Sequence, residues 1–328
     1  MKVKGVEIVF AMETEFNALI EQVDDFIIEY ANSRQKLINV AVADLVKAGG
    51  KRLRPIVMIL ASKFGDYQSD KLIKIAAGLE LLHMATLVHD DIIDEATMRR
   101  GELTTQKRFG KDVAVFVGDF LLTKAYNLFL EHLSRNSVLK FNKVVKLICE
   151  GEVDQYQSKF APDLTINDYL RRIRRKTALL FAFSTYVGAY ESGIRNTTLS
   201  NLYNLGLEMG MAFQIRDDIL DFVGKKSKVG KAVGQDLLAG IYTLPIVYLL
   251  DSKEDSKQVK EILTKESITE DDVILISELV KDKQAFAKSQ QLEERFLDRA
   301  HYHLAQLPKN EAKQHLNYIL GYQVSREK

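Results

Sequence analysis

Tryptophan is absent from the 328 residues, and cysteine occurs once, at Cys149. One thiol cannot close an internal disulfide, so the fold is not stapled covalently and the chain suits a reducing cytoplasm. Cys149 itself reads as a small, buried apolar residue. Proline is scarce, with only Pro55, Pro162, Pro245 and Pro308, and glycine is modest at 18. Such sparse punctuation argues against many short strands joined by tight turns and favours long helices. An excess of one charge is also missing, since 46 basic residues face 45 acidic ones and leave +1. Nucleic acid and anionic membrane surfaces are therefore excluded as bulk partners, and any anion must be recognised locally. The apolar run at Ile8 to Met12 is short, is followed by acidic and polar residues, and has no small-residue cleavage site, so no secretory leader is expected. No apolar stretch is expected to be long enough to cross a bilayer.

What is present is apolar spacing. Hydrophobic residues make up 46% of the chain, enough for a sizeable core. Ile73, Ala76, Ala77, Leu79, Leu82 and Thr86 recur at helical intervals, as do Val113, Phe116, Val117, Phe120, Leu121 and Leu128, and a third run continues from Leu207 through Ile215, Ile219 and Phe222. The spacing predicts about a dozen helices in one domain spanning residues 1–328. Loops are expected at Ala48-Gly49-Gly50, Arg100-Gly101, Ala161-Pro162-Asp163, Gly188 to Asn196, and Gly224 to Gly234. Pro55 and Pro245 are placed just inside helix starts, where a missing N–H costs little.

Two acidic clusters stand out: Asp90-Asp91-Ile92-Ile93-Asp94 and Asp217-Asp218-Ile219-Leu220-Asp221. On a helix, residues i and i+4 share a face, so Asp90 projects with Asp94 and Asp217 with Asp221. Like charges so placed repel and call for a counter-ion. Hard oxygen donors suit Mg²⁺, which commonly bridges carboxylates to phosphates. No histidine and cysteine set has zinc spacing, and His83 and His89 are six apart. Asp24-Asp25 and Asp271-Asp272 lack the third aspartate and serve as internal controls.

Basic residues answer a second anion. Gly49-Gly50-Lys51-Arg52-Leu53-Arg54-Pro55 sets three cations after a glycine turn at a helix start, a place that binds phosphate well. Arg99-Arg100-Gly101 follows the first acidic cluster, and arginine's forked donors match phosphate oxygens. Within Arg171-Arg172-Ile173-Arg174-Arg175-Lys176-Thr177 most members read as a solvated face, while Lys176 and Thr177 open an apolar helix. Gly230-Lys231 lies in a glycine- and lysine-rich loop after the second cluster.

These motifs, in this order, resemble those of the trans-isoprenyl diphosphate synthases, the polyprenyl synthetase family. They are the Gly-Gly-Lys-Arg-Leu-Arg-Pro segment, the first aspartate cluster with Arg-Arg-Gly, Lys176-Thr177, Gln214 three residues before the second cluster, and Gly230-Lys231 with Gly234-Gln235-Asp236. The resemblance runs from about Leu37 to Leu320. It implies an all-α bundle around a deep central cavity and a Mg²⁺-dependent enzyme that adds isopentenyl diphosphate to an allylic diphosphate. It also implies roles. Asp90, Asp94, Asp217 and Asp221 are to hold Mg²⁺, three ions in the substrate complex, with Asp91 and Asp218 in support. Arg99, Lys176 and Lys231 are to contact the allylic diphosphate, and Lys51, Arg54, His83 and Arg100 the isopentenyl diphosphate. Thr177 and Gln214 are to face the developing carbocation. One departure is Ile241, in Gly240-Ile241-Tyr242-Thr243-Leu244-Pro245, where similar proteins often carry lysine.

Ala85 and Thr86 lie five and four residues before Asp90, about 6–8 Å deeper along the helix. Both are small, and in similar enzymes aromatic residues here block the growing chain, so a long product is expected; close helix packing is the alternative reading of the same residues. The segment Tyr169 to Leu180, with Gly151-Glu152-Val153-Asp154-Gln155, is most similar to catalytic subunits of bacterial hexaprenyl and heptaprenyl diphosphate synthases. That likeness implies a heterodimer with a smaller non-catalytic subunit, a homodimeric synthase of another chain length being the alternative. Release of so apolar a product implies the partner or a transient membrane contact.

Overall fold

The computed structural model describes residues 2–223, 234–252, 255–265, 268–282 and 284–324. Among these, sixteen α-helices, one π-helical turn and a two-stranded ribbon occur, so the all-α expectation holds. The helices number more than a dozen because several are short, such as Thr105–Phe109 and Gln235–Leu238, and leave little periodicity to read. The chain divides into two compact units, one comprising residues 1–140, 184–200 and 308–316, the other residues 141–183, 201–307 and 317–328.

The first unit is built on α4 (Ser69–Ile93), which is apolar on nearly every side and mostly buried. A helix with that pattern belongs in a core. It packs against α1 (Lys2–Tyr30), α3 (Leu53–Ser62) and α6 (Lys111–His132). Small residues set the approach: a Cβ on Gly78 would meet the Phe129 ring at 2.6 Å, and one on Gly118 would meet His89 Nε2 at 2.3 Å. His89 is thereby committed to the α4–α6 contact. A short ribbon, β1 (Met98–Arg99) with β2 (Glu102–Leu103), and α5 (Thr105–Phe109) follow α4.

Two sequence expectations need correction. Both α4 and α6 are long and apolar enough to cross a membrane by length and composition, with windows of mean hydropathy 1.4 and 1.5. The α4 window is 72% buried inside the protein, as expected of a core helix, against 39% for α6. Cys149 is exposed rather than buried, because it falls on the outer side of α7 (Arg135–Gln157).

The second unit contains α8 (Ile166–Ile173), the π turn (Arg174–Ala178), much of α10 (Thr197–Val223) and the C-terminal helices. Phe222, Leu237, Tyr242, Ile246, Val259, Ile276 and Val280 form one of its apolar clusters. Thr165 and Asp168 close a reciprocal capping box on α8. Pro245 sits in the first turn of the helix Leu244–Asp251, as its fixed φ predicts.

Candidate active site

In the first unit, α4 ends at the first acidic cluster. Asp90 is half-buried, Asp91 buried and Asp94 exposed. Asp94 caps the helix, its N–H donating to the Asp90 carbonyl at 2.9 Å. Asp91 points a different way: its Oδ1 accepts from Arg99 Nε at 2.8 Å and pairs with Nη2 at 2.7 Å. Two side chains that sequence reasoning missed brace the turn that follows this helix end. The Gln106 amide donates to the Asp91 and Ala96 carbonyls, and the Thr104 hydroxyl donates to Ala96. Neither residue type nor spacing marks them, since the ribbon brings them there.

The glycine turn sorts its three cations. Gly49, Gly50 and Arg52 have φ of 66°, 156° and 45°. Arg52 turns inward and is buried, donating to Glu80 at 2.7 Å, to Asp24 at 2.9 Å and to the Val46 carbonyl at 3.3 Å. It is structural, whereas Lys51 remains exposed and Arg54 half-buried. A Cβ on Gly50 would meet Arg100 Nη1 at 2.5 Å, so only glycine lets the turn lie against that guanidinium.

His83 reports what has been gathered. Its pKa is held well below the ordinary histidine value, first by burial and then by Arg54, Arg100, Arg99 and Arg52. Of the residues singled out in the sequence, Arg54, His83, Arg99 and Arg100 thus share one positive field. Desolvation also lowers Arg100, partly offset by Glu80. A cavity of about 190 Å³ beside them is lined by Gly49, Glu80, Asp91, Arg99, Arg100 and Arg108, among others. Ala85, just inward on α4, is buried, and Thr86 is half-buried with its hydroxyl folded back onto the His83 carbonyl at 2.8 Å.

In the second unit, the π turn carries Lys176 and Thr177. Such turns insert a residue into a helix and recur at functional sites. Glycines let its neighbours close in: a Cβ on Gly210 would meet Ala178 Cα at 2.6 Å, and one on Gly151 would meet Arg175 Cβ at 2.7 Å. Lys176 Nζ pairs with Glu152 at 2.9 Å, and Arg175 with Asp154 at 2.7 Å. The basic run is not all solvated face, for Arg172 is buried and donates to the Tyr242 carbonyl at 2.6 Å, tying α8 to the strand-like segment before Leu244.

Thr177, Gln214 and the second acidic cluster are brought together in one chain of hydrogen bonds. Thr177 Oγ1 donates to Gln214 Oε1 at 2.7 Å, and Gln214 Nε2 donates to Asp218 Oδ1 at 2.8 Å. Tyr169, which sequence reasoning missed, donates its phenol proton to Asp218 Oδ2 at 2.6 Å. Burial pushes Asp218 up to about 7, against the lowering pull of Tyr169 and Gln214 and with Asp236 adding to the rise. Asp217 and Asp221 are half-buried. Lys231 lies outside the described residues. Ile241 is half-buried, its N–H donating to the Asp236 carbonyl at 2.8 Å.

The donor chemistry fits Mg²⁺. Both acidic clusters lie near the C-terminal ends of long helices, whose macrodipoles already concentrate negative charge there, and neither last turn contains a basic residue. Among the described residues no three carboxylate, imidazole or thiol groups converge into a closed metal cage.

Known proteins resemble this chain in sequence and fold. The heptaprenyl diphosphate synthase component 2 of Geobacillus stearothermophilus is 38% identical over 273 residues, covering 83% of this chain and 85% of that protein. The crystal structure of heptaprenyl diphosphate synthase from Staphylococcus aureus superposes with a TM-score of 0.91 at 34% identity, covering 95% of this chain and 99% of that one. A polyprenyl synthase from Caulobacter crescentus, crystallised with calcium and isoprenyl diphosphate, gives 0.90 at 31% identity over 97% of each chain. With the polyprenyl synthetase profile matching residues 35–280, this chain belongs to the polyprenyl synthetase family.

Proposed function

We propose that the chain is an all-trans polyprenyl diphosphate synthase that condenses isopentenyl diphosphate onto an allylic diphosphate in successive rounds. The observation that carries this is the pairing of two provisions. One is helix ends that carry carboxylates with no basic residue in the last turn; the other is the arginine field around His83, whose Arg99 also pairs with Asp91. Metal ions neutralise one diphosphate, and protein cations neutralise the other. In this reading Asp90, Asp94, Asp217 and Asp221 hold Mg²⁺, which when bound acts as a Lewis acid on the leaving diphosphate. Arg99, Lys176 and Lys231 take up charge that grows on that group, and Lys51, Arg54, His83 and Arg100 seat the isopentenyl diphosphate. Neutral His83 can donate or accept there without adding to the positive charge. Thr177 and Gln214 offer oxygen dipoles to the allylic cation without trapping it, and apolar walls keep water from quenching it.

The small side chains of Ala85 and Thr86 support a medium to long product of six or seven isoprene units, suited to a quinone side chain. The component 2 names of the heptaprenyl relatives support a partner subunit, which we take to be smaller and non-catalytic. The single-domain reading and a cytoplasmic location complete the proposal, the latter supported by the single, exposed thiol.

The test is incorporation of labelled isopentenyl diphosphate by the purified chain, with and without Mg²⁺ and with and without a candidate small subunit, the products being separated by length. Mg²⁺-dependent elongation is expected, with Asp90→Ala losing on the order of a hundredfold or more in turnover. Wild-type-like activity in that variant rejects the metal assignment. Full turnover by the chain alone rejects the heteromer.

A further inference from the structure

We infer that Tyr169 is a positioning residue that, acting through Asp218 and Gln214, fixes which end of the Thr177 hydroxyl dipole faces the substrate. The inference rests on the proposed synthase activity and adds to it a residue with no place in the scheme above.

An amide side chain has two ends, and its hydroxyl neighbour can turn either way. The relay removes both choices. Asp218 is buried between two donors, the Tyr169 phenol on Oδ2 at 2.6 Å and the Gln214 amide on Oδ1 at 2.8 Å. With Asp218 accepting on both oxygens, Gln214 presents its NH₂ to Asp218 and its carbonyl to Thr177. Thr177 must then spend its proton on that carbonyl, at 2.7 Å. What it shows to anything in front of it is its lone pairs. Toward a developing allylic cation that is the stabilising end of the dipole. Had the proton pointed outward, the same residue would oppose ionisation.

The elements hold the relay rigid. Tyr169 is fully buried on α8, five residues before the π turn begins, so the phenol and Thr177 belong to one continuous helical stretch. Gln214 and Asp218 are i and i+4 on α10, one above the other. Gly210, one turn earlier on α10, brings that helix against Ala178. Tyr169 touches no reacting atom in this scheme. Its effect passes through two other side chains.

The decisive measurement is a double-mutant cycle between Tyr169→Phe and Thr177→Val, read in single-turnover assays so that weak variants remain measurable. Tyr169→Phe deletes only the hydroxyl. In the wild-type background it is expected to lower the rate of condensation about tenfold while leaving both substrate KM values unchanged. In the Thr177→Val background, where there is no hydroxyl to orient, the same change is expected to cost less than about twofold. Equal losses in both backgrounds, or a loss expressed in KM, would mean that Tyr169 merely holds the fold, and would overturn the inference. Should Tyr169→Phe fail to fold by thermal melting, Asp218→Asn, which keeps the shape and changes what faces Gln214, is run through the same cycle: a loss at least about fivefold smaller in the Thr177→Val background supports the relay, and equal losses overturn it. A wild-type chain that is inactive both with and without the candidate small subunit overturns the parent activity and this inference together. An active wild type with additive losses overturns the relay alone.

Discussion

Arg52 is the residue on which two demands meet. It occupies a left-handed backbone conformation, at φ 45°, that costs a side-chain-bearing residue about 1–2 kcal/mol. It also puts a guanidinium where its side chain is only 2% exposed. Both costs are offset by its bonds to Glu80, Asp24 and the Val46 carbonyl, which also hold the turn carrying Lys51. The magnitudes predict an asymmetry. Arg52→Met leaves the Glu80 carboxylate, 4% exposed, without its ion-pair partner, and removing one member of a buried pair costs roughly 3–5 kcal/mol. Replacing both members by apolar groups is far cheaper, so Arg52→Met with Glu80→Leu is expected to recover more than half of the loss in urea unfolding midpoints. By residue type Lys51, Arg52 and Arg54 are three alike cations, and only the family resemblance left Arg52 out of the diphosphate site. Residue type could not sort them, because the sorting is done by the sign of φ at each step of the turn and by carboxylates 28 residues away on either side.

At the scale of elements, the long helices were legible and the irregular piece between two of them was not. The run from Ile73 to Thr86 keeps its apolar period throughout and lies within α4, which ends at Ile93. The π turn at Arg174–Ala178 inserts a residue without altering composition, so no periodicity announces it. Its signature lies elsewhere, in glycines on the helices that pack against it. Gly210→Ala sets two known effects against each other. Alanine is better than glycine inside a helix by about 1 kcal/mol. The new methyl would lie 2.6 Å from Ala178 Cα, a backbone atom that cannot swing aside, and overpacking of that kind costs about 1–3 kcal/mol. Overpacking wins, or the π turn shifts to relieve it. Either way Thr177 is displaced, so the expected result is a lower melting temperature together with a fall in the rate of condensation. An unchanged rate with a raised melting temperature would show that the turn and α10 are not in register-critical contact.

At the scale of the whole molecule, α4 and α6 pose one question with two answers. Their apolar windows are nearly equal in hydropathy, yet 72% of one is buried and 39% of the other. The inner side of α6 is used up by its own unit, through Ala114, Val117, Gly118, Leu121 and Ala125. Its outer side leaves Phe116 65% and Leu130 64% exposed, beside Val115 and half-buried Phe120, Leu122 and Tyr126. Asp119, Thr123 and Asn127 interrupt that patch. Lipid tolerates buried charge poorly, whereas a protein interface combines an apolar centre with polar groups that find partners. The patch therefore suits a second subunit, in keeping with the component 2 names of its relatives. Phe116→Glu with Leu130→Glu is expected to abolish association in sedimentation velocity. The melting temperature of the isolated chain should change little, since exposed substitutions usually alter stability by no more than about 0.5 kcal/mol. On the proposal of a medium to long product completed at that contact, product length is expected to fall along with association, while the first condensation survives. A variant that still associates, or that unfolds as it dissociates, would place the partner on another face.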